Sequence, residues 1–112
     1  MLEKVIELTN LYIENMPKRE RKKYGQFFTS METARFMTNL YECPVGKSCV
    51  MVLDAGAGSG ILSCAFIEWI EQFDYITEIE LICYENDENV LGLLKENLEY
   101  CKNHSNYLNE FY

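Results

Sequence analysis

Apolar residues enter this chain at helical spacing. Val5, Ile6, Thr9, Tyr12, Ile13 and Met16 share one stripe of residues 2–16, with Glu3, Glu7 and Glu14 off it, so an amphipathic helix is predicted, its stripe a packing face covering a sheet. Pro17 ends it. A basic link over residues 18–23 follows, then Tyr24-Gly-Gln-Phe-Phe-Thr-Ser-Met-Glu32. Thr29 with Glu32 three residues on has the spacing of a capping box, which predicts a helix through Ala34, Met37, Leu40 and Tyr41. The aromatic residues ahead of that cap fall in a predicted loop, where they could offer flat surface to a ligand. Cys43-Pro-Val-Gly-Lys-Ser reads as a turn-rich connector.

The pattern then changes to a short continuous run, Val50-Met-Val-Leu-Asp54, broken by Ala55-Gly-Ala-Gly-Ser-Gly60 and resumed with Leu62, Ala65, Phe66, Trp69, Ile70 and Phe73 at helical spacing. This predicts strand, tight loop and a helix of about four turns with its apolar face on the sheet. Ile79–Tyr84 reads as a second strand ending in Glu85-Asn86-Asp87, and residues 88–102 as a helix with Val90, Leu93, Leu94, Leu98 and Cys101 inward. Strand, helix, strand predicts a right-handed βαβ unit with parallel strands. Residues 104–112 carry aromatics at 107, 111 and 112 without a clear period. Two strands are fewer than a stable sheet needs, so the expectation is a piece of a longer protein or a truncated product, with exposed strand edges and possible self-association.

Length and composition bound the rest. The 112 residues are 48% hydrophobic and 25% charged, enough for one globular unit, and contain no run long enough to span a membrane. No membrane partner is expected, and the absence of a basic segment followed by a continuous apolar one at the start suggests a cytoplasmic chain. Two segments are expected within that unit, 1–44 with helices and a lid loop, and 45–112 with the α/β part. The five cysteines, an odd set without a Cys-x-x-Cys pair, read as free buried thiols, with no metal site. His104 reads as a surface residue. A net charge of −8 argues against nucleic acid, yet residues 1–48 are net +2 and the remainder −10. Lys18, Arg19, Arg21, Lys22 and Lys23 concentrate the positive charge; such a cluster can touch phosphates, although a solvated face is the commoner explanation.

The glycine loop carries the chemistry. Glycines admit positive φ and close approach of a ligand to the backbone, and the N–H groups opening the following helix favour electron-rich ligand atoms. A dinucleotide fingerprint would want a small residue where Ile61 stands, and a phosphate-binding P-loop would want Lys and Ser or Thr after Gly60, where Ile-Leu follows. The strand ends instead in an acid, Asp54-x-Gly56-x-Gly58-x-Gly60, beside which a cationic ligand group can be held. That suits S-adenosylmethionine, which carries a sulfonium and an ammonium and no phosphate. Glu85, at the carboxyl end of the adjacent strand, is placed to accept hydrogen bonds from both ribose hydroxyls, while Asp87 or Glu88 better fits a cap for the next helix.

Tyr24-Gly-Gln-Phe-Phe-Thr29, Leu53-Asp-Ala-Gly-Ala-Gly-Ser-Gly60 and Cys83-Tyr-Glu-Asn-Asp87, in that order, resemble the amino-terminal, S-adenosylmethionine-binding part of the N6-adenine DNA methyltransferases of restriction-modification systems, the gamma-class N-6 DNA methylase family. The resemblance covers about residues 18–103. It implies a partial Rossmann-like class I methyltransferase fold with parallel strands, preceded by N-terminal helices. It places Tyr24, Phe27 and Thr29 near the methionine end of the cofactor, Asp54, Ala55, Gly56, Gly58 and Ser59 around its methionyl and ribose portion, Glu85 on the ribose and Asn86 against the adenine. Ser30 stands where the family usually has proline, which a helix start tolerates, and Asn86 where it commonly has an apolar residue. The Asn/Asp-Pro-Pro-aromatic motif that holds the target amine is absent from these residues, whose prolines are Pro17 and Pro44. The implied partner is DNA, through a full-length protein. A catalytically inactive S-adenosylmethionine-binding module, or a methyltransferase of protein or small molecules on the same fold, stands as the alternative.

Overall fold

A computed structural model of the protein describes residues 1–42, 45–105 and 108–111, with 23–27 and 108–111 described through the backbone alone. Expectations that rest on Cys43, Pro44, Tyr107 and Tyr112, or on the side chains of Lys23, Tyr24, Phe27 and Phe111, lie outside what is described. Three helices, α1 (Leu2–Glu14), α2 (Lys18–Phe27) and α3 (Met31–Thr38), precede β1 (Cys49–Ala55), α4 (Ile61–Ile70), β2 (Glu78–Tyr84), α5 (Glu88–Asn103) and β3 (Leu108–Phe111). The sheet has the order β1-β2-β3 and both pairings are parallel.

Several expectations shift. The basic link is helical: Pro17 both closes α1 and opens α2, its carbonyl accepting from Glu20 N at 2.9 Å and Arg21 N at 3.0 Å. The backbone of Tyr24–Phe27 therefore belongs to a helix instead of a lid loop. The cap of α3 is Ser30, whose hydroxyl accepts from Thr33 N at 3.2 Å, one residue beyond the expected Thr29. A serine one position later caps equally well and leaves Thr29 half-buried. The helix after the glycine loop is ten residues, shorter than four turns. Leu108–Phe111 adds a third strand, paired Ile79 to Leu108 through Ile82 to Phe111, where no period was legible.

The core lies on one side of the sheet. In register, Val50, Val52 and Asp54 of β1 stand beside Ile79, Leu81 and Cys83 of β2, and the β2 residues are buried with Ile61, Cys64, Ile67 and Ile70 of α4 and Leu94, Leu98 and Cys101 of α5. Alternation sends Met51 and Leu53 to the other face, where they are 68% and 65% exposed. α1 adds Leu2 and Val5 to the core and α3 adds Ala34. Arg35 ties these helices together, its guanidinium lying 2.6 Å from Glu3 and 3.4 Å from Glu68, while Glu68 also accepts from Leu2 N at 2.9 Å.

Of the thiols, Cys64, Cys83 and Cys101 are buried as expected, whereas Cys49 is exposed because it begins β1 on the bare face of the sheet. Burial pushes the Cys83 thiol up to about 11, and hydrogen bonding with Cys101 together with burial raises that of Cys64. Alkylation of the native protein by iodoacetamide near pH 8 is expected to label Cys49 well ahead of Cys64, Cys83 and Cys101, read by peptide mass spectrometry; equal rates would show that the core is open. A raised thiol favours the folded state below its ordinary value near 9, so stability linked to Cys83 is lost as pH rises from there through about 11.

Candidate functional site

The glycine loop leaves β1 at Ala55 and crosses the carboxyl end of β2 before entering α4. Gly56, Gly58 and Gly60 take φ of +71°, +59° and +88°, conformations that disfavour any residue with a Cβ. Two bonds pin the loop to the end of β2: Ala57 N donates to Tyr84 O at 2.9 Å, and Gly58 N donates to Glu85 Oε1 at 2.8 Å. The second oxygen of Glu85 accepts from Asp87 N at 2.9 Å. Asp87 in turn caps α5, accepting from Asn89 N at 2.9 Å, as its position suggested.

Phe28, Thr29, Asp54, Gly56, Ala57, Gly58, Ser59, Ile61 and Leu62 line one cleft of about 90 Å³. The structure thus brings Thr29, Asp54, Gly56, Gly58 and Ser59 together, although they lie up to thirty residues apart in the chain. Ala55 and Asn86 are exposed and are not among its lining residues; Glu85, half-buried, meets the loop from below through Gly58. Lys18, Arg19 and Lys22 are exposed on α2 and Arg21 is half-buried.

Three residues here had no individual role in the sequence reading. Phe28 faces the loop: a Cβ built on Gly58 would stand 3.8 Å from its ring. Ser63, 2% exposed in the first turn of α4, donates a short hydrogen bond to Asp54 Oδ2 and lies 3.6 Å from Cys83 Sγ, so the acid that ends β1 is held from beneath. Asn97, on α5, donates to Ser59 O at 2.7 Å. Phe28 was legible only as one of the aromatics ahead of α3 and Ser63 carried no distinguishing sequence signal, but Asn97 did: it interrupts the inward stripe of Val90, Leu93, Leu94 and Cys101 with an amide.

A cleft of about 90 Å³ is smaller than the roughly 300–1,000 Å³ of whole ligand sites. A second cavity of about 320 Å³ adjoins it, sharing Asp54 and Leu62 and running under β1 between Tyr41, Phe66, Trp69 and Ile70. Its wall is an aromatic series, Tyr41 edge-on to Phe66 at 5.6 Å between ring centroids and Phe66 against Trp69 at 5.6 Å. Asp54 stands where the two spaces meet. Among the described residues no group of three or more His, Cys, Asp and Glu side chains is placed to hold a metal ion, and no helix is long and apolar enough to cross a membrane.

The type II methyltransferase M.PstI of Providencia stuartii is 38% identical to this chain over 82 residues, which are 73% of this chain and 16% of that protein. The chain therefore spans about a sixth of the length of the relative it matches. The parallel α/β arrangement is compatible with part of a methyltransferase fold. No family model matches the chain. No solved structure matches it.

Proposed function

We propose that these residues form the S-adenosylmethionine-binding portion of a DNA methyltransferase that modifies the N6 amine of adenine, on a partial Rossmann-like class I fold. The observation that carries the reading is the pairing of an acid-ended glycine loop on β1 with a carboxylate at the same end of β2. The residues fit the cofactor on structural grounds. A Cβ on Gly56 would meet nothing within 4 Å, so the loop's outer surface is open to a ligand, and the nearest charged groups, Asp54 and Glu85, suit a cation and hydroxyl donors. When bound, the cofactor supplies an activated methyl group. Asp54, braced by Ser63, would hold its cationic end; Gly56 and Gly58 would let it lie against backbone; Glu85, with lone pairs left beyond its two N–H partners, would accept from ribose hydroxyls. Phe28 and Thr29 would close the near side. Lys18, Arg19, Arg21 and Lys22, on the helix leading into Phe28, would favour phosphate nearby.

A second reading, an S-adenosylmethionine-binding module without catalysis of its own, is favoured by one observation: the 112 residues contain no Asn/Asp-Pro-Pro-aromatic tetrapeptide to orient a flipped amine. Calorimetric titration with S-adenosylhomocysteine tests both readings, since each requires binding. A folded chain that binds no ligand up to millimolar concentration would remove them. Transfer of labelled methyl to adenine-containing DNA, with binding established, separates the two.

A further inference from the structure

A buried amide has little reason to occupy the apolar inner face of a helix. Asn97 is 1% exposed on α5, flanked by the buried Leu93, Leu94, Leu98 and Cys101. An apolar residue there would bury no polar atoms, and an unpaired buried amide costs on the order of 1–3 kcal/mol. Its bonds show where the amide acts. Nδ2 donates to the Ser59 carbonyl at 2.7 Å, and at 3.5 Å it reaches Thr9 Oγ1, whose own hydroxyl donates to Val5 O at 2.8 Å. The amide orientation is determined by the carbonyl, because the reverse would set two oxygens face to face. Among the described residues, Asn97 Oδ1 and Ser59 Oγ are buried without a hydrogen-bond partner, so this cluster is not one that packing alone would select.

We infer that Asn97 is a positioning residue that holds the glycine loop in its ligand-receiving conformation through the Ser59 carbonyl. The peptide between Ser59 and Gly60 is planar, so fixing that carbonyl fixes the plane from which Gly60 turns at φ +88° into α4. The end of β2 pins the loop at Ala57 and Gly58; Asn97 pins it at the next residue from the opposite side. The inference rests on the reading of the loop as a cofactor site, and it extends that site to a residue 38 positions away on α5.

The test compares the parent with Asn97→Leu, which keeps the branched shape with added bulk and removes the amide, and Asn97→Ser, which is smaller, stays polar and cannot reach Ser59. Both are expected to weaken S-adenosylhomocysteine binding about tenfold or more, the loss of one buried hydrogen bond. In ligand-free protein both should speed hydrogen exchange at the Gly58, Ser59 and Gly60 amides relative to those of β2. Parent-like affinity together with parent-like loop exchange in whichever variant folds would overturn the inference, as would exchange that rises equally in β2, the mark of a merely structural role. If the parent itself binds no ligand, the cofactor reading fails while the exchange comparison still decides whether Asn97 holds the loop.

Discussion

Glu85→Ala is expected to lose S-adenosylhomocysteine binding by a hundredfold or more, by about three orders at most, and to lower unfolding free energy by about 1.5–3 kcal/mol. The size follows from how many groups one carboxylate serves. Oε1 accepts from Gly58 N at 2.8 Å and Oε2 from Asp87 N at 2.9 Å, so the side chain joins the glycine loop to the start of α5. Bonds to an ionised acceptor are about twice as strong as neutral ones. Removing it orphans two backbone donors and, in the proposed complex, two ribose hydroxyls. Glu85→Gln should fall near alanine in binding, because its amide has a single oxygen and must turn an N–H toward one of the two N–H groups. Titration calorimetry and urea unfolding of the same preparations separate the roles. Lower stability with parental affinity would make Glu85 a brace for the loop and not a ribose ligand; parental stability and affinity would remove it from both.

The same residue shows what a sequence can carry. That Glu85 ends a strand beside the glycine loop was legible, because apolar runs and glycines mark strand, turn and helix locally. That its Oε1 would meet Gly58 N was not, since that contact joins residues 27 apart and depends on how β1 and β2 lie in register. α2 escaped for another reason. Lys18-Arg-Glu-Arg-Lys-Lys consists of strong helix formers but has no apolar stripe, so a search for period finds nothing while propensity and Pro17 suffice to start a helix. Phe28 belongs to the aromatic block that the sequence offered as a ligand surface, and it follows directly on the helix that runs through Phe27, with its ring against Gly58. β3 was hidden because its four residues, Leu-Asn-Glu-Phe, are recruited by the edge of β2 rather than by their own pattern.

Gly60 and Leu94 offer the sharpest test of how loop and core are joined. Leu94 is fully buried, and Leu94→Ala is expected to cost about 2–5 kcal/mol in transfer and cavity terms. Gly60→Ala is expected to cost about 2–3 kcal/mol from two sources: a left-handed φ of +88°, worth about 1–2 kcal/mol for a residue with a Cβ, and a methyl 3.0 Å from Leu94 Cδ1. The double variant separates them. Truncating Leu94 opens space where the new methyl falls, so the steric part should vanish, but the backbone part cannot, since no neighbour changes the φ that α4 requires. Urea unfolding of the cycle should therefore show a favourable coupling of about 0.5–1.5 kcal/mol, with Gly60→Ala still destabilising in the Leu94→Ala background. Strict additivity would mean that the loop moves aside from Leu94 at no cost, and the glycine loop would then not be seated on α5 as the structure describes. Coupling that erased the whole penalty would instead mean that the positive φ is not required, leaving the packing of Leu94 as the sole reason for a glycine at the start of α4.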